Sequence, residues 1–187
     1  RAGVKELLEG ISRVDIATGI HAACQLAKVL EDIALFLDDP APLIHLPDTG
    51  DMAGANPVAI HPGSGGAAKN WHLKEWIRLG EGIADHDGHF PILLITGEAE
   101  EEKHAKLAEA WRGAGVVFQH AHNWPLTRLG EALSKCRLFL GHDSGISHLA
   151  AAVGIPCLLL FGPTDPAIWA PANEKVEVLR SKTGRMS

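Results

Sequence analysis

From Val58 onward the chain alternates short apolar runs with stretches of helical periodicity, and this rhythm restricts the fold more than any other feature. The apolar runs fall at 58–60, 92–95, 116–118, 138–140, 157–161 and 176–179. Between them, residues recur three or four apart on one face: Leu73, Trp76, Ile77, Gly80 and Ile83; then Leu107, Ala108, Trp111 and Ala114; then Leu126, Leu129, Leu133 and Cys136. Strands alternating with helices imply an α/β domain, a Rossmann-like parallel sheet of about six strands with helices on both faces. In such sheets ligands bind beyond the carboxyl ends of the strands, where βα turns converge. Those turns are therefore the candidate sites.

The richest turn lies within 138–171. A short apolar strand at 138–140 runs into His142-Asp143-Ser144-Gly145, a small-residue helix opens near Asp143, Gly154 stops it, and a second strand follows at 157–161. A helix start leaves backbone N–H groups without intrahelical acceptors, and the aligned peptide dipoles favour an anion there. Ser144 adds a hydroxyl, Gly145 allows close approach, and Asp143 is expected to cap the helix by accepting backbone N–H bonds. His148, one turn on, reads equally as a pocket residue or as a hydrogen-bonded core histidine.

A second turn, 61–71, reads His-Pro-Gly-Ser-Gly-Gly-Ala-Ala-Lys-Asn-Trp. Its glycines free the backbone to wrap an anion and Lys69 can place a compact positive charge on it, although the spacing is not that of a P-loop. On the glycines alone, a flexible loop with a solvated lysine is the preferred reading. The third turn, 96–103, is acidic, which the dipole of a following helix explains by itself.

Ahead of the rhythmic region, 20–37 has the spacing of one amphipathic helix, ended by Asp38-Asp39-Pro40. Pro40, Pro42, Pro47 and Pro57, with Gly50 and Gly54, mark a connector. The expected organisation is an N-terminal helical segment and linker over 1–57 and a compact domain over 58–187.

The net charge of −6 argues against a broad surface for nucleic acid or anionic lipid, so any phosphate site must be local. Cys24, Cys136 and Cys157 are odd in number and widely spaced, which suits reduced residues of a cytoplasmic protein better than a disulfide framework. The longest apolar run, 149–161, is broken by Gly154 and Pro156 and too short to span a bilayer. The chain begins with Arg1, so its natural N-terminus is expected to lie elsewhere. His120-x-His122 invites a metal reading, but no zinc-type spacing and no aspartate cluster accompanies it, and no resident metal or cofactor is expected.

Asp143-Ser144-Gly145, His148-Leu149-Ala150, Gly154-Ile155-Pro156, Phe161-Gly162-Pro163-Thr164 and Trp169, in that order, resemble the C-terminal signature of family 9 glycosyltransferases, the heptosyltransferases of lipopolysaccharide core assembly. The resemblance covers roughly 58–179 and implies the C-terminal half of a GT-B fold. It implies diphosphate contacts at Ser64, Gly65, Lys69, Ser144 and Gly145, and a glutamate on the ribose hydroxyls, Glu101 with Glu100 as its neighbour. His72 stands where the family usually has proline. The donor implied is ADP-heptose and the acceptor a lipopolysaccharide core precursor at the cytoplasmic face of the inner membrane. The reaction implied is inverting and metal-independent, with its general base an aspartate of an N-terminal domain that some 57 residues are too few to form. Binding without turnover is expected of this chain alone. Two other readings stay open: a nucleotide-binding or scaffolding module without catalysis, and a nucleotide-sugar epimerase of similar architecture.

Overall fold

In a computed structural model of the chain, the residues described are 19–31, 34, 36–46, 56–86, 90–98 and 101–181. Contacts divide the chain into two compact units, one of residues 1–40 with Ala167–Trp169, the other of residues 41–166 with 170–187. In the smaller unit, α1 spans Ala22–Glu31. It is shorter than the 20–37 expected, and Ala34 has left the helical conformation at φ 59°.

The larger unit contains a six-stranded sheet with all neighbours parallel: β1 (Val58–His61), β2 (Ile92–Thr96), β3 (Phe118–His122), β4 (Leu138–His142), β5 (Cys157–Phe161) and β6 (Val176–Arg180). Their order is β3-β2-β1-β4-β5-β6. The crossovers contain α2 (Leu73–Asp85), α3 (Glu101–Gly113), α4 (Leu126–Leu133), α5 (Gly145–Ala152) and the short α6 (Pro166–Trp169). This is the expected doubly covered α/β sheet. Alternate strand residues separate into two cores: Val58, Ile60, Ile92 and Leu94 pack with Trp76 of α2 and Trp111 of α3, whereas Ala59, Leu93, Phe139 and Leu159 pack with Leu129 of α4 and Ala150 of α5.

β3 departs from the expected 116–118. It pairs with β2 from Ile92↔Phe118 to Thr96↔His122. Val116 is buried ahead of the strand and Val117 is exposed, so the apolar signal marks the strand's entry. The strand itself is a polar edge whose hydrogen bonding to β2, not apolar content, makes it a strand.

Close packing fixes the layers at Gly80, where a Cβ would stand 2.3 Å from the Trp111 ring, so α2 and α3 can meet only with a glycine there. On the same face, leucines 138, 140, 158, 160 and 179 border a groove of about 890 Å³ beside Leu79 and Ile83 of α2. The groove is apolar. The polar groups gather instead at the carboxyl ends of the strands.

Candidate functional site

β1 and β4 are adjacent, and from them the chain moves outward in opposite directions, toward β2 and toward β5. This is the topological switch point, where a crevice opens at the strand ends. The turn after β1 and the turn after β4 meet across it. Lys69 ends a 3₁₀ turn, Ala67–Lys69, and its Nζ lies 2.6 Å from Asp143 Oδ2. The Asp143 side chain is only 11% exposed and that of Lys69 30%.

A second tie reinforces the first. The Trp71 backbone N–H donates to His142 Nε2 at 2.8 Å, and the His142 ring, fully buried, packs edge-on against Trp76 at 5.3 Å. The Ser147 hydroxyl donates to the His142 carbonyl oxygen. The glycine-rich loop is thereby fastened to the end of β4, and the Lys69 ammonium is held against Asp143, two residues ahead of α5.

β4 continues to His142, two residues past the expected end, and this displaces the helix start. Ser144 is the N-cap of α5, its Oγ accepting from the Ser147 N–H at 3.4 Å and lying 3.1 Å from Ser147 Oγ. The capping role expected of Asp143 therefore falls to Ser144, because the two further residues of strand leave Asp143 outside the helix and turned to Lys69. The first-turn N–H groups of Gly145 and Ile146 are the kind of donors that a helix leaves for an external anion. At Gly65 and Gly145 nothing beyond the adjoining residues and the glycine's own helix lies within 4 Å of where a Cβ would stand, so both border open space.

Ser64 is buried at 7% exposure, and its hydroxyl donates to the Gly66 carbonyl at 3.0 Å, so it shapes the loop from within. His148 is half-buried on α5. Glu101 opens α3, is exposed, and borders none of the cavities described here. Its neighbour Glu100 lies outside the described residues.

A second polar cluster occupies the ends of β2 and β3. Thr96 Oγ1 lies 2.8 Å from His120 Nε2 and 3.0 Å from His122 Nδ1. Burial, and then the neighbouring His122 and Arg112, hold the His120 imidazole below its ordinary range, favouring the neutral ring. Closer to the switch point, His61 donates through Nδ1 to the Ile95 carbonyl at 3.0 Å. A cavity of about 130 Å³ sits there, lined by Ile95, Thr96, Ala121, Trp124, Leu129 and Ile146 among others. A separate groove of about 630 Å³ is bordered by Asn70, His72, Lys103, His104 and Lys106.

Among the described residues no three His, Cys, Asp or Glu side chains form a group suited to a metal ion, and no helix is long and apolar enough to cross a membrane. Burial pushes the Cys136 and Cys157 thiols up to about 12, which leaves neither poised as a nucleophile. Sequence reasoning singled out Lys69, Asp143 and Ser144 but missed Ser147, Thr96 and Trp124 as parts of the site. The alternation of His120 and His122 on one side of an edge strand was the available signal for Thr96, since neighbouring parallel strands place same-side residues together.

The family model described as "Glycosyltransferase family 9 (heptosyltransferase)" matches residues 25–187. The chain is 31% identical over 125 residues to lipopolysaccharide heptosyltransferase 1 of Pseudomonas aeruginosa, covering 64% of this chain and 33% of that protein. It is 36% identical over 127 residues to lipopolysaccharide heptosyltransferase 2 of Salmonella typhimurium, covering 64% and 34%. In structure it is similar to the E. coli heptosyltransferase WaaC with ADP, at a TM-score of 0.74 and 21% identity over 92% of this chain and 54% of that one. The chain thus spans about a third of the curated relatives' length and about half of that solved structure. The matched span includes both turns that meet at the switch point, and on it the chain belongs to glycosyltransferase family 9, the heptosyltransferase family.

Proposed function

We propose that this chain is the donor-binding half of a heptosyltransferase-like enzyme that transfers a sugar from a nucleotide diphosphate sugar, ADP-heptose, to a lipopolysaccharide core acceptor. The observation that carries the reading is the Lys69 ammonium held at the β1/β4 switch point against Asp143, the residue before the N-cap of α5. The similarity to proteins named lipopolysaccharide heptosyltransferases, and to a heptosyltransferase structure containing ADP, supports the choice of donor and acceptor.

In this reading the diphosphate lies between Lys69 and the N–H groups of Gly145 and Ile146, beside Gly65 and the Ser144 hydroxyl. The base enters the cavity between Ile95 and Trp124. Ser64 braces the loop, and Glu101 approaches the ribose from the start of α3. As the glycosidic bond breaks, negative charge grows on the β-phosphate oxygens; a fixed ammonium and a helix terminus already aimed there stabilise it with little reorganisation. These two devices do what a divalent cation does in other nucleotide-sugar sites, so transfer is metal-independent. Inversion at the sugar follows from a single displacement by the acceptor hydroxyl. The proton of that hydroxyl goes to a carboxylate of an N-terminal domain outside this chain, so the chain binds donor without turnover. The enzyme works at the cytoplasmic face of the inner membrane, where its acceptor is anchored.

Calorimetric titration with ADP, UDP and GDP in the presence of chelator tests this. Binding of ADP in preference to the others, unaffected by chelation, is the expected result. Equal silence with all three contradicts the reading, and sugar transfer by the 187 residues alone contradicts the division of labour.

A further inference from the structure

The Lys69–Asp143 pair presents a problem for a diphosphate site. A carboxylate only 11% exposed lies 2.6 Å from the ammonium meant for the phosphates and one residue before the N-cap of the helix that receives them. Two jobs a carboxylate there could do have other holders: Ser144 caps the helix, and the Trp71–His142 bond also fastens the loop.

The two states of the ligand explain the charge. A nucleotide diphosphate sugar has an esterified β-phosphate and bears two negative charges. After the sugar leaves, that phosphate is terminal, and its second ionisation, near pH 6 for a phosphomonoester, brings the total to about three at neutral pH. Asp143 opposes the additional charge, and Lys69, a single positive charge already paired with Asp143, does not balance it. We propose that Asp143 is a specificity-determining residue that disfavours the free nucleoside diphosphate relative to the intact sugar nucleotide, so that the donor is retained and the spent nucleotide is released. This rests on the donor-site reading above and adds the direction in which the site discriminates. One additional unit of charge a few ångströms away in a partly screened crevice corresponds to on the order of tenfold in affinity.

The test is a two-by-two calorimetric comparison on the full chain: wild type and Asp143→Asn, each titrated with ADP and with ADP-heptose. Asp143→Asn is expected to bind ADP about tenfold more tightly, with a smaller gain for ADP-heptose. Asp143→Glu, which keeps the charge, is expected to bind ADP no more tightly than wild type. Asp143→Ser, also neutral, replaces the Asn variant if a thermal melt shows that variant unfolded. Weakening of both ligands in the neutral variant overturns the proposal and makes Asp143 a support for Lys69. Loss of ADP-heptose affinity with ADP unchanged overturns it in favour of a hydrogen bond to the sugar. Binding of both ligands without a change in their ratio overturns it while sparing the donor-site reading, whereas no binding of either ligand by either protein overturns both.

Discussion

The two polar clusters at the carboxyl end of the sheet are built by opposite means. At the ends of β1 and β4, a cation and a carboxylate 74 residues apart meet at 2.6 Å, beside an imidazole that accepts a backbone N–H. At the ends of β2 and β3, two imidazoles share one threonine hydroxyl, and the more buried ring is shifted toward its neutral form. Charge is thus paired where the α5 dipole can act with it, and the flank beside it has no such ion pair and is partly apolar. Such a division suits a ligand with a charged middle and a neutral planar end.

The comparison breaks most directly at Lys69. Replacing it with alanine removes a charge-assisted contact to phosphate worth about 2 kcal/mol, so ADP should bind about thirtyfold more weakly by calorimetry. Thr96→Val, in the histidine cluster, should change ADP affinity by less than about threefold, because it removes no charge from the crevice. Equal losses in the two variants would erase the distinction between the clusters.

His142→Ala reports on what holds the charged cluster in place. It leaves the Trp71 N–H without its acceptor and opens a void beside Trp76, at a cost of about 3 kcal/mol by denaturant unfolding. Unchanged stability would mean that the loop is fastened by some other contact.

The smallest effect is a pH dependence. His120 faces Thr96, His122 and Arg112, and its pKa in the folded chain lies below the ordinary 6.5. The unfolded chain therefore takes up that proton first, and stability falls as pH drops below about 6.5 toward the folded value. Melting temperature should decline between pH 7 and pH 5, and less steeply in His120→Gln. An identical slope in the variant would remove His120 from the account.

Much of this was legible in the sequence because it is periodic. The strand and helix alternation depends on burial at every second or every third to fourth residue, and β5 is found over the expected 157–161. What escaped was set by pairing across the chain. β3 is an edge whose Gln119, His120 and His122 resemble no apolar strand, and only its ladder with β2 defines it. Asp143 and Ser144 are both good capping residues, and the expectation fell on the wrong one; the length of β4, fixed by its pairing with β1 and β5, gives the cap to Ser144. The contact between Lys69 and Asp143 belongs to no local pattern. It follows from the sheet order, which places the ends of β1 and β4 side by side.

The central claim is that the crevice between β1 and β4 takes the diphosphate, and titration of the labelled chain with inorganic pyrophosphate, followed by amide NMR, tests it most directly. The account expects the largest shifts at Gly65, Lys69, Gly145 and Ile146, with little change along β3. Shifts confined to the groove bordered by Lys103 and Lys106, with Gly145 and Ile146 unmoved, would contradict it.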